Sequence, residues 1–187
     1  MGTPPRSLRS SERVDPEEFS QRVRAVVGKL GDAADSVDVR NGTIHVSVPA
    51  PAVVGAARTL KDDPELDCAY FTFLSAIDWE ADGFEVLVAL STLTYGNTVI
   101  LHVRLPAESP SMASLTAVFG GANWHERECA EMFGITFDGH PNLVKLYLPE
   151  DFEGYPLRRS FKLASRRYKA WPGAKDEEEA AAGGPLR

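Results

Sequence analysis

Apolar residues near the start of the chain recur at the spacing of a helix. Asp15 can cap that helix, Pro16 suits its first position, and Glu18 stands where a capping box places its acid. Gly31 can end it in a left-handed conformation. The pattern therefore predicts an amphipathic helix whose apolar face consists of Phe19, Val23, Val26, Val27 and Leu30.

Beyond this helix, apolar and polar residues alternate with the period of β-strands. Residues 37–48 alternate on both sides of Asn41-Gly42, which is the strongest short-range signal of a hairpin. In the later segment 84–90 the alternation is typical of a sheet with one covered face. Together the patterns predict a second helix at 51–60 and three further strands at 68–77, 84–90 and 98–105.

Helices among antiparallel strands predict an α+β fold. We expect a compact two-layer domain, a mostly antiparallel sheet with helices on one face, followed by a C-terminal helix and an extended ribbon. After a linker at 106–111, a short helix is expected to end near Phe119. The predicted segments are a disordered lead (1–14), the α+β domain (15–106), a helix with an extended interface segment (107–161), and a basic then acidic tail (162–187).

The C-terminal helix is predicted at 124–133, with Asn123 as its N-cap and Gly134 as its stop. Around the helix axis, one arc holds His125, Cys129, Met132 and Phe133, and the opposite arc holds Trp124, Arg127, Glu128 and Glu131. Glu126 falls on the apolar side. Its carboxylate is therefore expected either to be buried and paired or to complete a capping box in contact with water.

The segment after this helix is predicted to be ordered but not helical. His140-Pro141 and Tyr155-Pro156 favour extended backbone before each proline, so residues 137–157 are expected to form a ribbon. The backbone hydrogen bonds of the ribbon must be satisfied either by a partner protein or by its own helix. The residues alone do not decide between the two.

Composition and charge exclude several kinds of protein. The formal net charge of −7 argues against a nucleic-acid-binding protein. The chain has no run of about 20 apolar residues and no apolar leader, so we expect a cytosolic protein. Cys68 and Cys129 are too few for a disulfide framework or for an iron–sulfur cluster, which takes about four thiolates, so no cofactor is expected in this chain.

Two candidate sites for chemistry remain open. Six cations lie in 158–169 without an acid, and this run is either a solvated stretch or a docking arm for an acidic surface. His125, Glu126 and Cys129 have the spacing of a zinc-binding helix, and His140 could be a third ligand of a small zinc-dependent enzyme.

His45 and His102 lie in predicted strands and are expected to be structural or exposed. The chain lacks phosphate-binding glycine loops and a Gly-x-Ser-x-Gly motif.

A long motif near the C-terminus resembles one protein family. It runs from Glu126-Arg127-Glu128 through Met132-Phe133-Gly134-Ile135, His140-Pro141 and Leu143 to Gly154-Tyr155-Pro156-Leu157-Arg158-Arg159. The order of these elements is similar to the signature of the C subunit (30-kilodalton type) of the bacterial proton-pumping NADH:quinone oxidoreductase, respiratory complex I. The strict signature covers about forty residues, and the predicted order of helices and strands before it is also similar.

The resemblance implies a subunit without catalytic residues or cofactor of its own. FMN and iron–sulfur clusters would lie in partner subunits, and the chain would support electron transfer from NADH to quinone. Its partners would be the quinone-site D subunit (49-kilodalton type) and the cluster-bearing B and I subunits. The chain would lie on the cytoplasmic face of the inner (cell) membrane and would contact the membrane only through the complex. The implied structural and interface residues are Glu126, Arg127, Glu128, Phe133, Gly134, His140, Pro141, Pro156, Leu157, Arg158 and Arg159.

The chain departs from the family pattern at a few positions. Glu131 replaces the usual Asp, Val144-Lys145 replace two common arginines, and Ser160 replaces an Asp. An equivalent subunit of a membrane-bound nickel–iron hydrogenase or of a ferredoxin- or deazaflavin-dependent complex is the alternative. We further expect the Glu126 carboxylate to be buried within ~4 Å of Arg158 or Arg159, the nearest dense supply of cations.

Overall fold

The computed structural model describes residues 14–27 and 36–163 and has the predicted α+β architecture. Single turns of 3₁₀ helix at Ala50–Ala52 and Glu80–Asp82 accompany the regular elements. In chain order these are α1 (Pro16–Val27), β1 (Ser36–Arg40), β2 (Thr43–Ser47), α2 (Val53–Asp62), β3 (Tyr70–Asp78), β4 (Phe84–Ser91), β5 (Thr98–Leu105), β6 (Ser111–Ala113), α3 (Ala122–Phe133) and β7 (Thr136–Asp138).

Five strands form the main sheet in the order β1-β2-β5-β4-β3. All neighbours are antiparallel except β2 and β5, which are parallel. The predicted hairpin is confirmed, since β1 and β2 meet at Asn41 and Gly42 with φ angles of 50° and 77°. Positive φ at both positions is the turn geometry that matches the twist of paired strands.

Helices cover one face of this sheet and build a single hydrophobic core with it. The same buried cluster as the sheet contains residues of all three helices: Phe19 and Val23 of α1, Ala57 and Leu60 of α2, and Cys129 and Phe133 of α3.

The expected alternation in β4 is only partly right, because Glu85 and Ala89 on the other face are buried too. The strand lies between β3 and β5, so side chains from both neighbours shield these positions.

The start of α1 follows the prediction in part. The Glu17 amide donates a 2.9 Å hydrogen bond to Oδ1 of Asp15, which therefore caps the helix. Glu18 forms an exposed ion pair with Arg22 instead of closing a capping box. The expected helix end at Gly31, residues 1–13 of the expected lead and residues 164–187 of the expected tail lie outside the described residues. Val14, the last residue of the expected disordered lead, is attached to the domain, since its amide donates to the Tyr95 carbonyl.

The short helix expected before Phe119 is wrong. Residues 111–113 form β6, which pairs in parallel with β7 in a two-stranded sheet, and residues 114–121 form turns. The amides of Val118 and Phe119 both donate to the carbonyl oxygen of Leu115. The segment cannot wind into a helix because β6 is held extended at one end and Ser114 is bonded to α3.

Candidate docking surface

The helix α3 positions the candidate surface, and it begins earlier than predicted. Gly121 occupies its N-cap position without a side-chain cap, so the prediction of Asn123 as N-cap is wrong. The predicted stop is confirmed, because Gly134 adopts φ 73° and its amide donates to the carbonyl of Ala130. A Cβ at this glycine would lie 2.6 Å from the Tyr155 ring, so the chain after α3 packs directly against the helix end.

Glu126 is fully buried, as predicted, but its expected ion pair is wrong. Ser114 Oγ donates to Oε2 and the Leu115 amide donates to Oε1, both at 2.6 Å. These donors come from the loop before α3, so the carboxylate does not cap its own helix either. Burial raises the pKa of Glu126 above its ordinary value, while the two hydrogen bonds and the nearby His140 oppose the shift.

Glu131 holds the middle of the ribbon. Its carboxylate accepts hydrogen bonds from three consecutive backbone amides, those of Leu146, Tyr147 and Leu148. Desolvation raises the pKa of this carboxyl, but the three amide donors and Lys145 outweigh it, so the net pKa lies below the ordinary value. Although Glu131 lies on the arc opposite the apolar residues, the ribbon buries it.

Two basic side chains satisfy the carbonyls of the ribbon. Arg127 donates to the carbonyl oxygens of Val144 and Lys145, at 2.8 and 3.2 Å. The Nζ of Lys145 donates in turn to the carbonyls of Pro149, Glu150 and Phe152. For these backbone groups of the ribbon, the contacts bear out the second of the two open alternatives, because α3 and the ribbon itself supply their hydrogen-bond partners.

Arg158 and Arg159 attach the end of the ribbon to its own domain. Arg158 Nε donates to the Phe133 carbonyl at 2.6 Å, and its guanidinium stacks on Tyr155 and Phe84. The Arg159 amide donates to Asp78 Oδ2, while its side chain pairs with exposed Glu80 at 3.5 Å. Neither arginine forms an ion pair with Glu126 in the part of the chain that the structure describes.

The zinc alternative is not supported by the arrangement of its three residues. His125 Nδ1 contacts the Leu74 carbonyl on β3, and Cys129 is buried in the core. His140 uses one ring nitrogen on the Asn123 carbonyl and the other on the Asn142 amide. Within residues 14–27 and 36–163, no group of three His, Cys, Asp or Glu side chains is placed to hold a metal ion. The hypothesis of a His125/Cys129/His140 site is wrong.

With the polar groups of the ribbon turned inward, large apolar side chains remain on its outside. Tyr147 and Val144 are 66% and 50% exposed, and Trp124 on α3 is 63% exposed. Arg127 connects these parts, since it bonds to the Val144 carbonyl and stacks on Trp124. We call the exposed group formed by Trp124, Leu143, Val144 and Tyr147 the ribbon surface.

None of the four residues of the ribbon surface is among the predicted interface residues. The helical angle of Trp124 assigns it to the polar arc. A large aromatic residue at such a polar position is the signal that could have indicated an exposed contact surface. Of the predicted interface residues, Pro141, Leu157 and Arg159 are exposed, and Phe133 is buried edge-on to Phe84. Those of intermediate exposure include Arg127, Glu128, Gly134, His140, Pro156 and Arg158.

No helix in the described part of the chain is both long and apolar enough to cross a lipid bilayer. In fold, the chain is similar to a chain of the archaeal membrane-bound sulfane sulfur reductase, a respiratory membrane complex. That similarity has a TM-score of 0.66 at 22% identity and covers 79% of this chain and 85% of the other.

Sequence comparisons identify the family. The NADH-quinone oxidoreductase C subunit of Roseiflexus sp. (strain RS-1) is 39% identical over 147 residues, which cover 78% of this chain and 83% of that protein. The NADH-quinone oxidoreductase C 2 subunit of Rhizobium meliloti (strain 1021) is 35% identical over 150 residues, or 79% of this chain and 82% of that protein. The family model of the 30 Kd subunit of respiratory-chain NADH dehydrogenase matches residues 46–167, and the chain belongs to this family, the C subunits of NADH-quinone oxidoreductase.

Proposed function

We propose that this chain is a non-catalytic subunit of the peripheral arm of a proton-translocating NADH:quinone oxidoreductase. It docks against the quinone-site D subunit and lies near the cluster-bearing B and I subunits. Electrons pass from NADH through FMN and iron–sulfur clusters held by the partner subunits, and the whole arm lies on the cytoplasmic face of the cell membrane. Membership of the C-subunit family supports this assignment.

The ribbon surface is the single observation that carries the docking proposal. Exposed Trp and Tyr side chains are the residue types that dominate binding energy at protein interfaces. Here they stand on a backbone whose hydrogen bonds to Glu131, Arg127 and Lys145 already fix its shape. A pre-ordered surface loses little conformational entropy when a partner covers it. The ribbon is therefore suited to bind another protein of the same complex through its apolar side chains.

The contacts of Arg158 and Arg159 change how their part in docking is understood. Both are engaged with their own domain, through Phe133 and through Asp78 and Glu80. In our proposal they hold the ribbon in the shape that the partner recognises, rather than supplying hydrogen-bond forks directed at the partner.

Co-expression with the D subunit tests the proposal. The double variant Trp124→Ser/Tyr147→Ser should fold normally and yet lose at least about tenfold in affinity, since two anchor residues are each worth more than about 1 kcal/mol. The matched control is Tyr70→Ser/Leu93→Ser, which removes side chains that are also exposed, by 53% and 73%, but lie outside the ribbon surface. Equal co-purification of both variants with the D subunit would reject the ribbon surface as the docking site.

A further inference from the structure

A chain of polar side chains crosses the face of the sheet that α1, α2 and α3 leave uncovered. His45 Nδ1 on β2 lies 2.7 Å from His102 Nε2 on β5, and His102 Nδ1 lies 3.0 Å from Glu85 Oε1 on β4. Glu85 also accepts a 2.8 Å hydrogen bond from Trp79 Nε1 and lies 3.5 Å from Arg104. The two imidazole rings therefore connect the hairpin strand β2 to the centre of the sheet.

The short contact between the two rings constrains their protonation. A hydrogen bond between His45 Nδ1 and His102 Nε2 needs one proton between the two nitrogens. With His102 donating its other N–H to Glu85, the pair can be neutral or can share a single added proton. A second added proton places an N–H on both facing nitrogens and a positive charge on both rings. The contact cannot survive in that state.

The surrounding charges favour one added proton but not two. Glu85 supplies a single carboxylate, which already faces Arg104 as well as His102. Beside His45, β1 presents Asp38 and Arg40, which are paired with each other at 2.9 Å. Burial lowers the pKa of His45, the positive charges of His102 and Arg40 lower it further, and Asp38 opposes them. The site therefore resists a charge on His45 once His102 is charged.

We propose that the His45–His102 pair is a pH-sensitive latch that holds β2 against β5 and releases it in acid. Next to the pair, the Val48 amide donates to the His102 carbonyl at 2.9 Å, so this backbone contact reports on the latch directly. The polar cleft above the pair, lined among others by Ser36, Ser47 and Pro49, gives water and protons access to the rings. The latch lies on the opposite face of the sheet from α3 and is independent of the proposed docking function.

Ring-nitrogen NMR of the full chain between pH 8 and pH 4.5, with a chelator present, tests the latch. The two histidines should take up protons in two steps separated by about one pH unit or more, as expected for strongly interacting sites. As the pair takes up its second proton, at the lower pH, the hydrogen-exchange protection of the Val48 amide should fall at least about tenfold. A factor of ten corresponds to a change of one pK unit in the free energy of opening. Amides between β3 and β4 should keep their protection.

The variant His45→Asn supplies the control, since an amide side chain bonds to His102 but takes no proton. Its Val48 protection should be independent of pH in the same range. If that variant does not fold, the wild-type titration is sufficient on its own. Simultaneous, independent titration of both rings would overturn the proposal. Separate titrations without any loss of Val48 protection at the lower step would overturn it equally.

Discussion

Ser114 Oγ donates a 2.6 Å hydrogen bond to the buried carboxylate of Glu126 and thereby ties the loop after β6 to α3. The Leu115 amide completes the site from the same loop. Hydrogen bonds from two neutral donors thus satisfy the Glu126 carboxylate, although its charge alone predicts an arginine as its partner. This leaves Arg158 available for the end of the ribbon, where it bonds to the Phe133 carbonyl.

Replacing Glu126 by alanine should destabilise the fold. The change leaves the Ser114 hydroxyl and the buried Leu115 amide without their acceptor, and a buried donor left unsatisfied costs about 1–3 kcal/mol. Denaturant unfolding at pH 7 should show a loss of about that size. Glu126→Gln keeps one acceptor oxygen and should lose clearly less. Equal losses in the two variants would mean that side-chain volume, not hydrogen bonding, matters at this position.

Glu126 should also make stability depend on pH in a defined direction. Burial raises its folded-state pKa above the ordinary value of 4.5, so the folded protein retains this proton to higher pH than the unfolded chain. The resulting stabilisation is fully present below pH 4.5 and is lost as pH rises through the folded-state pKa. The unfolding free energy of wild type minus that of Glu126→Gln should therefore decrease as pH rises from 4 to 7. A flat difference contradicts the assignment.

The contacts of Glu131 predict local opening of the ribbon. Without this carboxylate, the amides of Leu146, Tyr147 and Leu148 lose their common acceptor. In Glu131→Ala we expect hydrogen exchange at these three amides to accelerate at least about tenfold, which corresponds to about 1.4 kcal/mol or more of lost local stability. The exchange of the β4 and β5 amides should change much less.

Glu128→Ala is the matched control for that experiment. Glu128 lies on the same helix and is half-buried, but within the described residues it forms no hydrogen bond or ion pair. Its removal should leave ribbon exchange within about twofold of wild type. Acid should mimic Glu131→Ala, because the pKa of Glu131 is depressed and its contribution is lost as pH falls through the folded-state pKa.

Most of the sheet could be predicted because its signals are local. Asn41-Gly42 fixes the first hairpin, and the alternation in β4 and β5 marks both strands to within a residue. The parallel pairing of β2 with β5 has no such signal, since it joins segments that are distant in the chain. The three-residue strands β6 and β7 are too short for any period to be recognised.

The contacts of the candidate site are harder to predict for a different reason. The helical angle of Glu126 correctly indicates burial, but it contains no information about which donor comes to meet it. The predicted partner, an arginine, follows from charge alone, whereas a hydroxyl and a backbone amide satisfy the carboxylate. Asn123 fails as an N-cap because turns over 114–121 lead into α3 and place Gly121 at the helix start.

Arg158 and Arg159 should differ in their importance for the fold. Arg158→Lys keeps the charge but removes the planar group that stacks on Tyr155 and the Nε donor to Phe133. We expect a loss of about 1–2 kcal/mol in unfolding free energy. Arg159→Lys should be nearly neutral, because its backbone amide keeps Asp78 and its side-chain pair with Glu80 is exposed. Thermal unfolding of both variants at one pH compares them; equal Tm shifts would refute the distinction.

Gly134 and Gly55 offer a test of how tightly the ribbon is fitted to α3. Alanine at Gly134 must adopt φ 73° and places its Cβ 2.6 Å from the Tyr155 ring and 2.7 Å from the Arg158 guanidinium. The left-handed conformation alone costs about 1–2 kcal/mol, and the displaced ring adds to it. Gly55 lies inside α2 and is exposed, and no atom lies within 4 Å of the position that an alanine Cβ would take there.

The two alanine substitutions should therefore shift stability in opposite directions. Gly55→Ala should stabilise the protein by about 0.5–1 kcal/mol, because alanine is the better helix former. Gly134→Ala should destabilise it by more than about 2 kcal/mol and should also accelerate hydrogen exchange at the Leu157 amide, which donates to the Met132 carbonyl. If Gly134→Ala lowered stability without any change in exchange at Leu157, the cost would lie in the backbone of the helix end and not in the fit of the ribbon.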